Sequence, residues 1–235
     1  ALAAIQISHA GSGTTEKVCG GKPVAPSAVP HPRKNTHPRA LTGEEAGKLR
    51  DNFAGAAARA AGAGFDAVEL HGAHGFFLNQ FLSPLTNLRK DKYGGSLEER
   101  AAFPLEVVQA VMRELKDDML LMYRLGADDL MEGGLKVDST AQFAKWLQQE
   151  GVDIIDVSGG MNSYHIVETN PGFFRTHSRV IKQVVKVPVM VTGGISTAVQ
   201  AEDVLAACDA DIVGIGRALL KNYRWAREAL KSLEG

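Results

Sequence analysis

The sequence predicts an α/β protein with a parallel sheet, and three observations carry that prediction. Six short apolar β runs alternate with stretches of helical period. Most of those runs are almost continuously apolar, as strands covered on both faces are. Polar and Gly-rich residues gather just after the runs, where parallel α/β folds place their sites.

The elements follow in chain order. The first β run is Ala4-Ile5-Gln6-Ile7-Ser8, followed by a long Gly-, Pro-, Ser- and Thr-rich segment over about 10–42. An amphipathic pattern over roughly 44–62 ends at Gly64, and the run up to Leu70 follows. Next come His71-Gly72-Ala73-His74-Gly75-Phe76-Phe77 and a long excursion through Tyr93-Gly94-Gly95. Ser96-Leu97-Glu98-Glu99 has capping-box spacing and opens a helix over roughly 98–115. The third run is Leu120–Tyr123, and Arg124 follows it. A helix over about 138–150 ends at Gly151, before the fourth run and its Ser158-Gly159-Gly160 exit. Gly64 and Gly151 stand where a helix C-terminus favours a left-handed residue. Helices over about 174–184 and 197–207 flank the fifth run, Val187–Val191, which exits through Thr192-Gly193-Gly194. The sixth run leads to Gly216-Arg217, and a last helix covers about 222–233. The count is six βα units in one domain, residues 1–235.

Composition bounds the function classes. Of 235 residues, 45% are apolar and 23% charged, an ordinary globular balance. With 26 Lys+Arg against 27 Asp+Glu, there is no basic excess of the kind nucleic-acid binders show. No apolar run is long enough to span a membrane, and the first residues lack the basic and apolar regions of a signal peptide. Two cysteines, Cys19 and Cys208, make neither a disulfide framework nor a metal cluster, and a cytoplasmic location is expected.

The strand exits carry the candidate chemistry. Gly193-Gly194 and Gly216-Arg217 end successive runs before helices. Glycines let backbone N–H groups approach a phosphate, and Arg217 can pair with its oxygens; the bland alternative is two tight turns and a surface ion pair. His71 and His74 could hold an anionic substrate oxygen, could be structural, or could ligate a metal. The metal reading lacks a third ligand, since Glu69 is expected to turn to the other face. Arg124 either faces a ligand or forms a buried ion pair with Asp128 or Asp156. Gln6 is a ligand contact or a hydrogen-bonded core amide. Asp91–Ser96 reads as a structural turn.

Together, His71-Gly-Ala-His74-Gly-Phe-Phe-Leu-Asn-Gln-Phe-Leu-Ser-Pro-Leu-Thr-Asn and Arg89-Lys-Asp-Lys-Tyr-Gly-Gly-Ser-Leu-Glu-Glu-Arg100 strongly resemble the old yellow enzyme family. Those are FMN-dependent NAD(P)H oxidoreductases and ene-reductases on a TIM (β/α)8 barrel, and the resemblance spans essentially the whole chain. It implies FMN as cofactor, with NADH or NADPH as reductant in a ping-pong cycle. Gln6 would meet the flavin pyrimidine edge, and Arg124 would lie near flavin N1. Gly193, Gly194, Gly216 and Arg217 would cradle the phosphate. His71 and His74 would hydrogen-bond the oxygen of an enone, quinone or nitro acceptor.

Two departures qualify the resemblance. Phe76 stands where the family usually carries a proton-donating Tyr, so ene-reduction is expected to be weak unless Tyr123, Tyr164 or water replaces it. The resemblance also begins at the family's third strand, so six of eight βα units are present. The first two are expected either to precede this sequence in a longer polypeptide or to come from another chain, such as a homo-oligomeric partner. The rival readings are a non-catalytic flavin- or phosphate-binding barrel remnant and a phosphate-binding barrel enzyme of another class.

Overall fold

The structure is a computed structural model that describes residues 1–34, 36–162 and 170–233. In chain order it holds β1 (Ala4–Ile7), α1 (Glu16–Cys19), β2 (Val24–Ala25), β3 (Arg39–Ala40) and α2 (Gly43–Gly62). There follow β4 (Ala67–Gly72), α3 (Phe77–Leu82), α4 (Leu97–Met112), β5 (Leu120–Gly126), α5 (Val137–Gln149) and β6 (Ile154–Ser158). The chain continues with α6 (Arg175–Lys182), β7 (Val189–Thr192), α7 (Ala198–Ala206), β8 (Ile212–Gly214), α8 (Arg217–Lys221) and α9 (Trp225–Leu233).

The six expected strands form one sheet in the order β1-β4-β5-β6-β7-β8, every pair parallel. Each connection therefore steps one strand in the same direction, which is how the wall of a (β/α) barrel is wound. The short parallel pair β2–β3 lies apart, within the long segment after β1.

Why these residues make these helices is visible at the ends. Thr42 with Glu45, Ser96 with Glu99, and Thr197 with Gln200 each form a complete capping box. At the C-termini one motif recurs three times. Gly64, Gly151 and Cys208 adopt left-handed φ of 82°, 92° and 55°. The residue after each donates back five positions: Phe65 to Ala60, Val152 to Leu147, and Asp209 to Val204. Cys208 meets the same geometric demand as the two glycines, but carries a Cβ.

A second repeat fixes register. Asp66, Asp153 and Asp211 each stand just before a strand. Each accepts, through Oδ2, the N–H at the start of the preceding strand: Ala3 at 2.7 Å, Leu121 at 2.8 Å and Val189 at 3.0 Å.

The strands are two-faced rather than apolar throughout. In β5, Leu121, Tyr123 and Leu125 are fully buried towards the helices, Tyr123 against Phe143 of α5. Met122 and Arg124 face the other way, alongside Glu69, Asp156, Ser158, Met190 and Thr192 of neighbouring strands. The hydrophobic core thus lies between sheet and helices, and the inner face of the sheet is a polar cleft. An aromatic cluster of Phe77, Phe81, Tyr93 and Phe103 packs α3 on α4.

The Asp91–Ser96 turn is structural, as expected. Buried Arg89 donates to the carbonyls of Pro26 and Leu41 and to Asp91. Asn87 Nδ2 donates to the carbonyls of Phe81 and Tyr93, both at 2.6 Å. These bonds pin the loops after β1 and β4 to one another.

Candidate cleft at the strand ends

The inner face of the sheet lines a cleft of about 1110 Å³. Seven of the residues singled out from sequence line it: Gln6, His74, Arg124, Gly193, Gly194, Gly216 and Arg217. They come from β1, β5 and the exits of β4, β7 and β8, so the parallel fold alone gathers them. His71 and Phe76 stand one layer behind. The Phe76 ring meets the His71 ring edge-on, with centroids 4.7 Å apart.

The two histidines form an ordered chain. The Ala73 N–H donates to His71 Nδ1 at 3.3 Å, which places the ring proton on His71 Nε2. That N–H meets His74 Nδ1 at 3.2 Å, and His74 Nε2 in turn meets Ser158 Oγ at 2.7 Å. Burial and the nearby Arg124 charge pull His71 down to about 4 and His74 down to about 3. Both rings are therefore neutral at physiological pH, and His74 presents its Nε2–H at the cleft. The turn that aims His74 is itself constrained: His74 has φ of 59°, Asn79 accepts from the Gly75 N–H, and buried Gln80 donates to the Gly75 carbonyl.

Arg124 sits at the cleft floor with Nη1 3.3 Å from Asp156 Oδ2 and Nη2 3.4 Å from Thr192 Oγ1. Of its two alternative carboxylates, Asp156 is the partner; Asp128 pairs with Lys136 instead. The Arg124 Nε is buried without a hydrogen-bond partner, an unused donor beside the cleft. Gln6 Nε2 donates to Glu69 Oε2 at 2.5 Å. Glu69 lies on the same inner face as His71, contrary to the expectation that it turns away. Residues two apart on a strand share a face.

Gly193 and Gly194 both have left-handed φ, 125° and 73°, and a Cβ on Gly193 would come within 2.8 Å of the Phe173 ring. A Cβ on Gly216 would meet nothing within 4 Å, so the space beside it is open to a ligand. Arg217 is exposed at the first position of α8.

Tyr123 is not a proton donor to this cleft. Its side chain points to the helices, its hydroxyl is buried without a partner, and burial pushes its pKa far up. Tyr164 lies outside the described residues, as do residues 163–169 as a whole. The sequence reading missed Glu69 and Ser158 as cleft residues; alternation from His71 and strand register would have found them. Among the described residues no three His, Cys, Asp or Glu side chains group to hold a metal, and no helix is long and apolar enough to cross a membrane.

The sequence profile of the NADH:flavin oxidoreductase / NADH oxidase family matches residues 1–235. An NADH oxidase of Thermoanaerobacter brockii is 41% identical over 231 residues, which is 96% of this chain and 36% of that protein. An NADPH dehydrogenase of Bacillus cytotoxicus is 40% identical over 231 residues, 98% of this chain and 65% of that protein. Morphinone reductase, solved in complex with tetrahydroNAD, superposes with a TM-score of 0.82 at 30% identity, over 97% of this chain and 65% of its own. The chain thus spans less than two thirds of these relatives' lengths.

Proposed function

Because the chain belongs to the NADH:flavin oxidoreductase / NADH oxidase family, we propose that it forms part of an FMN-dependent oxidoreductase. It would take hydride from NADH or NADPH and pass it to an electron-poor small molecule. The observation that carries this reading is the cleft floor, where the part-buried Arg124 guanidinium, its side chain 23% exposed, offers a charged donor among the lining residues. A flat, electron-rich ring edge fits that donor. The Gly-rich exits of β7 and β8 fit a phosphate at the far end of the same cleft.

Bound FMN would supply the hydride chemistry; the chain binds, orients and tunes. Gln6 and Arg124 would contact the ring, with the Arg124 charge favouring the electron-rich reduced form. Gly193, Gly194, Gly216 and Arg217 would hold the phosphate. His74, backed by His71, would donate from Nε2 to the acceptor's carbonyl or nitro oxygen, which competes with Ser158 Oγ for that proton. A neutral imidazole polarises the oxygen without delivering a full charge.

Phe76 offers no proton, and a positioned general acid is worth about 10²–10⁴-fold. Quinones, nitro compounds and dioxygen are therefore favoured over enones as acceptors. Two measurements test the reading. A yellow protein that bleaches on anaerobic NADH or NADPH addition supports it. Colour without bleaching favours a non-catalytic flavin binder, and no colour overturns it. The Phe76→Tyr variant is expected to raise enone turnover with flavin still bound; unchanged turnover removes the proton-donor argument.

A further inference from the structure

The exit of β6 grips His74 from two sides. The Gly159 carbonyl accepts the His74 N–H at 2.9 Å, and Ser158 Oγ meets the ring Nε2 at 2.7 Å. His74 needs that grip, because its φ of 59° is a conformation that L-residues disfavour. What holds His74 in place is therefore whatever holds the β6 exit.

A carboxyl group outside the cleft does so. Asp129, fully buried beyond the end of β5, accepts the Met161 N–H through Oδ1 at 2.8 Å. Its backbone carbonyl accepts the Asn162 N–H at 3.1 Å, and the Asp128 carbonyl accepts the Gly160 N–H at 2.8 Å. The exit lies so close that a Cβ on Gly160 would come within 2.3 Å of Asp129 Oδ1. The second oxygen, Oδ2, is anchored elsewhere: it accepts from Ser83 Oγ at 2.6 Å and from the Leu135 N–H at 2.9 Å. Ser83 closes α3, the helix that opens just after the His74 turn. Three donors thus converge on one group, and an ionised carboxylate, which only accepts, satisfies them all. Burial raises the Asp129 pKa, against the pull of the bonds from Ser83, Leu135 and Met161.

We propose that Asp129 is a positioning residue for His74. It ties the exit that grips His74 to the helix that follows it, and so keeps the imidazole in one tautomer with its Nε2–H at the cleft. The inference rests on the proposed function only in giving that N–H an acceptor oxygen to meet. Without the carboxylate the exit keeps its main-chain bonds to residues 128 and 129 but loses its side-chain anchor, and Ser158 and Gly159 no longer fix the ring.

Nitrogen-15 NMR of the histidine rings in the full chain tests this and needs no flavin. In wild type, His74 should show a single tautomer, protonated at Nε2. In Asp129→Ala the tautomers should mix, and the proton affinity of the ring should rise at least about tenfold as water reaches it. Ser83→Ala is the control. It removes a bond to the same carboxylate but leaves the Met161 bond, so stability should fall while His74 keeps its tautomer. An unchanged His74 signal in Asp129→Ala overturns the proposal. Equal mixing in Ser83→Ala also overturns it, because the effect would then be general loosening. Should Asp129→Ala fail to fold by circular dichroism, amide exchange in wild type decides. The Met161 N–H should exchange at least about a hundredfold more slowly than in the unfolded chain, and faster exchange overturns the anchor. With FMN bound, Asp129→Ala should raise KM for a neutral benzoquinone about tenfold, the loss of one hydrogen bond. An unchanged KM beside mixed His74 tautomers counts against His74 as the acceptor's donor, not against its positioning by Asp129.

Discussion

His71 and His74 show how a residue's surroundings set both its chemistry and its cost. Their protons are withheld by burial and by Arg124, which keeps them neutral donors. The same effect ties stability to pH. Their native pKa values lie below the unfolded value near 6.5, so the unfolded chain binds more protons between about 3 and 6.5. Stability contributed by the neutral pair is therefore complete above about 6.5 and is lost as pH falls towards 4. Asp156 works in the opposite sense: its raised native pKa makes stability fall as pH rises from about 4 to 7. Melting temperature against pH should accordingly show the acid-side loss flattened in His74→Gln and the neutral-side loss removed in Asp156→Asn. Parallel profiles for all three proteins would refute the assignment. Cys208 is the second case. Its left-handed φ costs an L-residue about 1 kcal/mol that its counterparts Gly64 and Gly151 avoid. Cys208→Gly should stabilise by up to about 1 kcal/mol in urea unfolding, with no change in slope.

Among the elements, those with one polar and one apolar face were readable within one to three residues. Helices α2, α4, α5, α6 and α7 fall close to their expected spans because their periodicity is that of a surface helix. Helix α3 was not readable, since all six residues Phe77–Leu82 are buried and leave no polar face to reveal a period. Helix α8 is five residues long, too short for any pattern. The site was legible in part for a related reason. Gln6 and Arg124 stand out as polar residues in apolar strands, and the Gly pairs as turn chemistry. Glu69 was hidden by a one-residue error in strand phase. The motif around Asp91–Ser96, although specific to the family resemblance, is structural. Arg89 satisfies two carbonyls of the long loop after β1 while its own side chain is 9% exposed. Arg89→Met should destabilise the chain by about 3 kcal/mol in denaturant titration, by leaving those carbonyls unpaired. A loss below about 1 kcal/mol would show that water replaces the guanidinium.

At the scale of the whole molecule, the sheet is a curved wall with two flanks. Neither β1 nor β8 has a second neighbour among the described residues, and Leu219, Leu220 and Tyr223 lie exposed near the β8 flank. Unpaired parallel edges are templates for further strands. The 235-residue chain by itself is therefore expected to associate with rising concentration in sedimentation velocity, and a monodisperse monomer would contradict this.

The aspartates before β4, β6 and β8 have a bearing on how that wall is assembled. Each reaches backwards, to an amide within one residue of the start of a strand that lies earlier in the sequence and therefore leaves the ribosome first. No later residue is needed to set the alignment of an earlier pair. The sheet can thus be stitched from the N-terminal side as synthesis proceeds, each incoming strand finding its position on one already in place, so that order of emergence and order of assembly coincide.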